Sequence, residues 1–163
     1  MSTIPRSITS DEKHIYEVLR SQRFLKMEGL SKEVPFFIYH YPPEWAVEVE
    51  GLRDRVTTKL RSDDGLSVLE IDLYDLAVQL LQERGVWDRV LALEPDMEKA
   101  EFGEMLQGML DPHDHLAPAI QSRIDAEPSD MVFLAGIGEA FPFIRTHTVL
   151  ENLQSVVTGS TML

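Results

Sequence analysis

The amino-acid sequence predicts an α/β domain of three layers, in which a mostly parallel sheet is flanked by helices. The leading observation is the apolar run Met-Val-Phe-Leu-Ala at residues 131–135, which ends at Gly136. Strands of a parallel sheet are buried on both faces and therefore read as continuous apolar runs. A second strand-like segment at 66–71 and the helical spacing of apolar residues between the two support this class. The pattern favours a Rossmann-like or degenerate P-loop-like fold that lacks a C-terminal strand.

The N-terminal part of the chain is predicted to begin with a short unstructured stretch. Residues 1–9 are expected to be flexible, and residues 10–163 to form a single α/β domain that is truncated at its C-terminus. Thr9 followed three residues later by Glu12 matches a capping box, which predicts that the first helix begins here. At 163 residues, with 44% hydrophobic residues, the chain is long enough to bury a core.

The next elements are predicted to form a βαβ unit. Residues 34–41 favour a first strand that ends at Pro42, because proline cannot donate a hydrogen bond to a ladder. The apolar residues of 45–60 recur every three or four positions, which predicts a helix leading to the strand at 66–71. The basic residues of this helix are expected on its exposed face: Arg53, Arg55, Lys59 and Arg61.

The second half of the chain is predicted to be helical around the strand at 131–135. Asp72 can cap the helix that follows the second strand, and Gly85 can end it. Further apolar stripes predict helices at 87–93, 102–110, 116–124 and 149–157. Residues 161–163 look like the first step of another strand, which a βαβ unit beginning at Met131 would need. We therefore expect either a chain that is truncated before that strand or a sheet whose missing strand is supplied by another molecule.

The charge and composition of the chain disfavour several classes of function and exclude some kinds of site. The 28 Asp and Glu residues outnumber the 15 Lys and Arg residues, so the formal net charge is −13. A phosphate backbone would be repelled, which disfavours direct nucleic-acid binding. The absence of cysteine excludes disulfides and zinc–thiolate sites. The first residues lack the apolar core of a signal peptide, and no apolar stretch reaches membrane-spanning length, so we expect a cytoplasmic protein without a membrane contact.

Five segments of the chain carry a family resemblance. They are Phe24–Leu30 (FLKMEGL), Glu33–Tyr39 (EVPFFIY), Glu70–Leu76 (EIDLYDL), Gly136–Arg145 (GIGEAFPFIR) and Leu150–Gln154 (LENLQ). In this order, and over nearly the whole chain, they resemble the BrxB family, whose members are small components of bacterial BREX phage-defence systems. The resemblance implies a place in such a system without naming a reaction.

The resemblance and the lack of any complete catalytic motif together predict a non-catalytic interaction component. Its expected partners are other BREX proteins, such as the PglZ-type protein or the large BREX ATPase, and no cofactor is expected. Members of the family continue past this point with a further strand, so the stop at Leu163 is a departure from the family pattern. The oligomeric state is left open by the sequence.

The candidate interaction surface is predicted to lie where the strands end. If the strands are parallel, their carboxyl ends share one edge of the sheet, where the binding groups of such sheets collect. The residues placed there are Tyr39, His40, Tyr41, Glu70, Asp72, Gly138, Glu139, Arg145 and His147. A structural role is equally open, because Asp72 can serve as a helix cap while Glu139 and Arg145 can form an ion pair.

A metal-assisted reaction is the alternative function, as a phosphoesterase or nuclease accessory. His113, Asp114 and His115 offer imidazole and carboxylate ligands for zinc or manganese. Glu70 or Asp72 could add a further ligand. The other interpretation is a polar connection between helices, in which Asp114 caps the helix that follows.

A nucleotide-sensing switch is a second alternative. It would depend on the α/β pattern and on the Gly-x-Gly pair formed by Gly136 and Gly138. The chain lacks the sequence Gly-x-x-x-x-Gly-Lys-Ser/Thr, and with it the phosphate-cradling loop and its lysine. The other interpretation is that the glycines permit a tight turn after the strand.

Overall fold

A computed structural model of the protein describes residues 7–26, 37–154 and 161–162. The helices are α1 (Ile8–Leu19), α2 (Gln22–Leu25), α3 (Ala46–Ser62), α4 (Leu73–Glu83), α5 (Trp87–Leu93), α6 (Lys99–Met109), α7 (Ala117–Ala126), α8 (Ile137–Ala140) and α9 (Thr146–Gln154). The strands are β1 (Val68–Asp72), β2 (Met131–Ala135) and β3 (Thr161–Met162). A 3-10 turn at Pro43–Trp45 precedes α3, and a π turn at Pro112–Leu116 precedes α7. The strands form one sheet in the order β1-β2-β3, in which β1 and β2 are parallel.

The chain divides into two compact units. Unit 1 comprises Met1–Val68, Ser129–Met131 and Ser160–Leu163, and unit 2 comprises Leu69–Pro128 and Val132–Gly159. Helices α1 to α3 therefore belong to unit 1. Helices α4 to α9 belong to unit 2, together with most of β1 and β2.

The predicted α/β class is confirmed, although the described chain contains more helix and less sheet than the sequence indicates. β2 begins and ends where the apolar run at 131–135 places it, and β1 lies within two residues of the predicted bounds. β3 lies beside β2, where the sequence predicts the first step of a further strand. The three-layer, Rossmann-like or P-loop-like arrangement stays a prediction.

The first predicted strand is wrong for residues 37–41, which have no regular secondary structure, while residues 34–36 lie outside the described residues. The aromatic side chains of 37–41 pack on helices instead of entering a sheet. The ring of Phe37 lies 4.8 Å from that of Phe24 on α2, and the Tyr39 hydroxyl donates to a carboxylate of α1 at 2.7 Å. A strand-like sequence pattern indicates side chains that are partly buried against a neighbouring element, and here that element is a helix and not a strand. Residues 37–41 therefore do not supply the first strand of the predicted βαβ unit.

The start of α1 differs from the predicted capping box. Ser7 is the N-cap, and its hydroxyl accepts from the Ser10 backbone N–H at 3.3 Å. The Ser10 hydroxyl accepts in return from the Ser7 N–H at 3.3 Å. Thr9 and Glu12 lie inside the helix, so the reciprocal cap forms two residues earlier than predicted. Of the predicted flexible stretch, residues 1–6 lie outside the described residues.

Helix α1 packs against α3 through paired charges. Glu12 accepts from Nε and Nη2 of Arg55 at 2.9 and 2.7 Å, and its other carboxylate oxygen lies 3.7 Å from Nζ of Lys59. The hydrogen bond from Arg55 holds the pKa of the Glu12 carboxyl below its ordinary value. Tyr16 donates to Asp64, just after α3, at 2.7 Å. Arg55, Lys59 and Arg61 are exposed, as the sequence predicts for the basic face of α3, whereas Arg53 is half-buried. Arg55 and Lys59 also bind α1.

The predicted cap at Asp114 is wrong. Asp111 Oδ1 accepts from the N–H groups of His113 and Asp114, each at 2.9 Å, and thereby caps the π turn. The cap stands one residue before Pro112, as is usual when proline opens a helical turn. The helix that follows needs no separate side-chain cap, because the π turn runs directly into α7.

The apolar core of unit 2 surrounds β2. The largest fully buried side chains of this unit come from the sheet, the helices, the π turn and the turn at 141–144: Leu73, Leu116, Ile120, Val132, Ile144, Val149 and Leu153. Gly85, with a φ of +67°, ends α4 as predicted, because the left-handed conformation favours glycine. Within the described residues, no helix is long and apolar enough to cross a membrane.

Reciprocal hydrogen bonds join the residues that precede β1 and β2. Asp130 Oδ2 accepts from the backbone N–H and from the hydroxyl of Ser67, both at 2.8 Å. The Asp130 N–H donates to the Ser67 hydroxyl at 2.9 Å. These bonds hold the pKa of the Asp130 carboxyl below its ordinary value of 3.8. The bond from the Ser67 backbone N–H has the larger effect, and the bond from its hydroxyl adds to it.

We expect the Asp130 carboxylate to make stability decrease in acid. Its stabilising effect is fully present above the unfolded-state pKa of about 3.9 and is lost as the pH falls through the lower folded-state pKa. Asp130→Asn should flatten this dependence below about pH 4, which urea unfolding at a series of pH values measures. Asp88→Asn, on the exposed face of α5, removes the same charge and is the control. An equal flattening in the control would contradict the assignment.

Candidate interaction surface at the strand ends

The carboxyl end of β1 meets the residue that follows β2. Gly136 has a φ of +72°, in the left-handed region that favours glycine. A Cβ atom added to it would lie 2.6 Å from Cγ and 2.7 Å from Oδ2 of Asp72, and closer still to Oδ1. Because no side chain fits in this space, glycine is required here both by its backbone conformation and by its neighbour.

Asp72 is engaged as the cap of α4. Its Oδ1 accepts from the N–H groups of Tyr74 and Asp75 at 2.9 and 3.0 Å. The structural role that the sequence allows for Asp72 is therefore confirmed, since these bonds satisfy two free donors at the helix N-terminus. Glu70 lies two residues earlier, so it is on the same face of β1, and it is half-buried like Asp72.

The turn at 141–144, directly after α8, is held in place at two points. The Ile144 N–H donates to the carbonyl of the last α8 residue at 3.0 Å, and the Ile144 side chain is buried. From α6, Gln107 donates through Nε2 to the Pro142 carbonyl at 3.0 Å. Phe141, the first residue of this turn, remains 65% exposed. The turn therefore presents an aromatic side chain on a fixed backbone.

A second exposed aromatic side chain belongs to α4. Tyr74 is 44% exposed, and α4 packs against α8, the helix that precedes Phe141. Exposed carboxylates accompany both rings, because Asp75 follows Tyr74 and Glu139 lies two residues before Phe141. We call Tyr74, Asp75, Glu139 and Phe141 the strand-end surface. Large exposed aromatic side chains in a polar setting are typical of protein-binding sites.

Part of the predicted surface lies at these strand ends. Asp72 ends β1, and Gly138 and Glu139 lie in α8, the short helix that follows β2. Arg145 is exposed immediately after the turn, and His147 is exposed in the first turn of α9. Within the part of the chain that the structure describes, no salt bridge joins Glu139 to Arg145. The ion pair that the sequence allows for these two residues is therefore not formed.

The placement of Tyr39, His40 and Tyr41 at the same strand end is wrong. They belong to unit 1 and to the segment without regular structure, so no strand end positions them. The rings of Tyr39 and Tyr41 lie 5.7 Å apart, and the Tyr39 hydroxyl binds Asp11. His40 is exposed. The error follows from the strand predicted over 34–41.

The candidate metal ligands that lie close together in the structure differ from the set predicted from the sequence. Ligand atoms of Asp111, His113 and Asp114 lie within 4.8 Å of one another, which gives a mixed nitrogen and oxygen set suited to zinc or manganese. Three predicted ligands lie outside this group: Glu70, Asp72 and His115. His113 Nδ1 is 2.7 Å from Asp114 Oδ1, and this hydrogen bond raises the pKa of His113. The pair is exposed to solvent.

The Gly-x-Gly pair has a structural explanation. Gly136 makes the tight turn that follows β2, as the second interpretation of the pair predicts. Gly138 lies inside the four-residue helix α8, and a Cβ atom added to it would meet open space. The nucleotide-sensing alternative stays a prediction.

The sequence analysis missed three residues of the strand-end surface: Tyr74, Asp75 and Phe141. Tyr74 and Asp75 are the first residues after Leu73 in the helix that the sequence predicts to follow Asp72, and both are exposed. Phe141 precedes Pro142 in a turn between two helices, where an aromatic residue has little core to enter. This was the signal that could have identified it.

Comparisons with known proteins converge on one family. A family model described as "BREX protein BrxB" matches residues 69–163, which include the whole strand-end surface. A relative named BREX protein BrxB from Bacillus cereus (strain H3081.97) is 28% identical over 159 residues, covering 93% of this chain and 80% of the relative. Another of the same name, from Escherichia coli O9:H4 (strain HS), is 28% identical over 145 residues, covering 89% and 71%. No solved structure matches the chain.

Proposed function

The chain belongs to the BrxB family of BREX phage-defence components, and from this premise we propose that it is a non-catalytic interaction component of a BREX assembly. It docks other BREX proteins through the strand-end surface. The candidate partners are the PglZ-type protein and the large BREX ATPase. A cytoplasmic location is part of the same proposal.

The observation that carries this proposal is the exposed Phe141 ring on its fixed turn. Binding energy at protein interfaces is concentrated in a few aromatic or arginine side chains surrounded by polar residues. A side chain displayed on a fixed backbone also loses little conformational entropy on binding. Phe141 has both properties, because Ile144 and Gln107 hold its turn while the ring remains open to solvent.

Two carboxylates near the candidate sites support the proposal through the structural roles that they fill. Asp72 caps α4 at the strand end, and Asp111 caps the π turn. In each case one carboxylate oxygen accepts two backbone N–H groups, which satisfies free donors at the start of the turn or helix. Both residues therefore have a role in the fold that needs no catalytic explanation.

We expect Phe141→Ala to weaken association with a BREX partner about thirtyfold, the effect of losing a hot-spot side chain. The measurement is biolayer interferometry with the purified PglZ-type protein and the large BREX ATPase, each immobilised separately. Leu91→Ala is the control, because Leu91 is 47% exposed on α5, outside the strand-end surface. Its affinity should remain within about twofold of the wild-type value.

The proposal fails if the wild-type chain binds neither protein at micromolar concentration. It fails equally if Phe141→Ala and Leu91→Ala bind with the same affinity as the wild-type chain. Thermal unfolding of both variants shows whether the fold is retained, which is expected because both side chains are exposed.

A metal-assisted phosphoesterase or nuclease accessory is the second candidate function. The observation that favours it is the convergence of Asp111, His113 and Asp114. Elemental analysis of the purified protein distinguishes the two functions. Stoichiometric zinc or manganese that is lost in His113→Ala, but kept in His147→Ala, would place the metal function first.

A further inference from the structure

The negative charge of the chain is concentrated in one of its two units. Unit 2 contains 16 Asp and Glu residues against 5 Lys and Arg residues, a formal charge of −11. Unit 1 contains 12 against 10, a formal charge of −2. Such an asymmetry within one chain points to an electrostatic role for the charged part, since solubility alone requires no separation of this kind.

The two exposed aromatic rings of unit 2 belong to elements joined by α4, α6 and α8, and each of these helices carries an exposed carboxylate. Asp75 on α4 and Glu139 on α8 are members of the strand-end surface. Glu104 on α6 adds a third, because it lies one helical turn before Gln107, the residue that binds the turn carrying Phe141. All three carboxylates are exposed.

We propose that the strand-end surface receives an arginine- and lysine-rich segment of a partner protein. This inference rests on the proposed function and specifies the chemistry of the partner. An arginine guanidinium stacks on an exposed aromatic face and donates two parallel hydrogen bonds to a carboxylate. Tyr74 and Phe141 supply the faces, and Asp75, Glu104 and Glu139 supply the carboxylates.

Charge complementarity selects this occupant over two others. A duplex or single-stranded nucleic acid brings phosphates toward a unit of charge −11, which repels them. A second copy docked surface to surface would place two such units against each other. A basic protein segment is attracted instead, and its approach is accelerated by the same field.

The test compares two charge reversals of equal size. Glu104→Lys with Glu139→Lys changes the strand-end region, and Glu48→Lys with Glu50→Lys changes two exposed glutamates of α3 in unit 1 by the same net charge. We expect the first pair to reduce the association rate for the PglZ-type protein or the ATPase at least about tenfold at low salt. The second pair should stay within about twofold, and wild-type affinity should fall steeply with added NaCl.

The possible outcomes distinguish the inference about a basic partner segment from the proposed function on which it rests. Equal effects of the two pairs would overturn the inference, since they would show a response to net charge alone. The inference would also be overturned if the wild-type affinity does not depend on salt and the pair Glu104→Lys with Glu139→Lys leaves it unchanged. If Phe141→Ala still weakens binding in that case, the proposed function remains supported. Absence of binding to both partners would overturn both. The milder pair Glu104→Gln with Glu139→Gln replaces the first pair if circular dichroism shows that the reversal impairs folding, and it should weaken binding in the same direction.

Discussion

Gly136→Ala is expected to reduce the free energy of unfolding by about 3 kcal/mol. The left-handed backbone conformation costs a residue with a Cβ atom about 1 to 2 kcal/mol. The added methyl group also has to displace the Asp72 carboxylate, 2.6 Å away at Cγ, and with it the cap of α4, which is worth about 1 kcal/mol. Urea unfolding followed by circular dichroism measures the loss.

Two other glycines separate the causes of this effect. Gly85 has almost the same φ, +67°, with nothing within 4 Å of an added Cβ atom, so Gly85→Ala reports the backbone cost alone. Gly138→Ala, in a helix with open space around it, should be neutral or stabilise by up to about 1 kcal/mol. If Gly136→Ala costs no more than Gly85→Ala, the close approach of Asp72 has no energetic consequence and the explanation is wrong.

Ile144→Ala is expected to cost a similar amount, about 3 kcal/mol, because it leaves a cavity where a fully buried side chain was. The same substitution loosens the turn at 141–144, since it removes the buried side chain that anchors the end of the turn, while the backbone bond to Ala140 and the hydrogen bond from Gln107 remain. We therefore expect it to weaken partner binding as well, although the Phe141 ring is retained. Urea unfolding measures the first effect and biolayer interferometry the second.

Leu91→Ala is the matched truncation for Ile144→Ala, because it removes a similar side chain from an exposed position. Its free energy of unfolding should stay within about 0.5 kcal/mol of the wild-type value. Unchanged partner affinity in Ile144→Ala, at a temperature where the variant is folded, would show that Phe141 binds without a fixed backbone.

The elements predicted correctly from the sequence are those whose signal is local. The apolar run of β2 is bounded by Asp130 and Gly136, and both neighbours stop the strand. Asp72 precedes an amphipathic helix, where a capping side chain is expected, and it caps α4. A signal that lies within a few residues is read from the sequence, because the same few residues produce the structure.

The errors concern choices that distant residues decide. Residues 37–41 have the composition of a strand, but their side chains contact Phe24 and α1 instead of a neighbouring strand. These contacts come from residues distant in sequence, so the local pattern does not predict them. The π turn at 112–116 selects Asp111 as its cap over Asp114. Both side chains are capable of the role, and the geometry of the turn decides between them.

The candidate site was predictable in its location and less so in its composition. The rule that binding groups collect at the carboxyl ends of parallel strands leads to Asp72 and Glu139. It does not reveal that Phe141 is exposed, because exposure depends on how Ile144 and Gln107 hold the turn. The charge difference between the units requires the unit boundaries, which follow contacts rather than sequence order.

The pairing of β1 with β2 across four intervening helices has a consequence during synthesis. As the chain leaves the ribosome, β1 emerges long before its neighbour, and it must wait while α4 to α7 are made. Contacts between residues far apart in sequence form late and slowly, so the apolar side of the early strand stays open to nascent-chain chaperones during that interval. Slower translation between the two strands should lengthen this exposure, whereas slower translation after β2 should not.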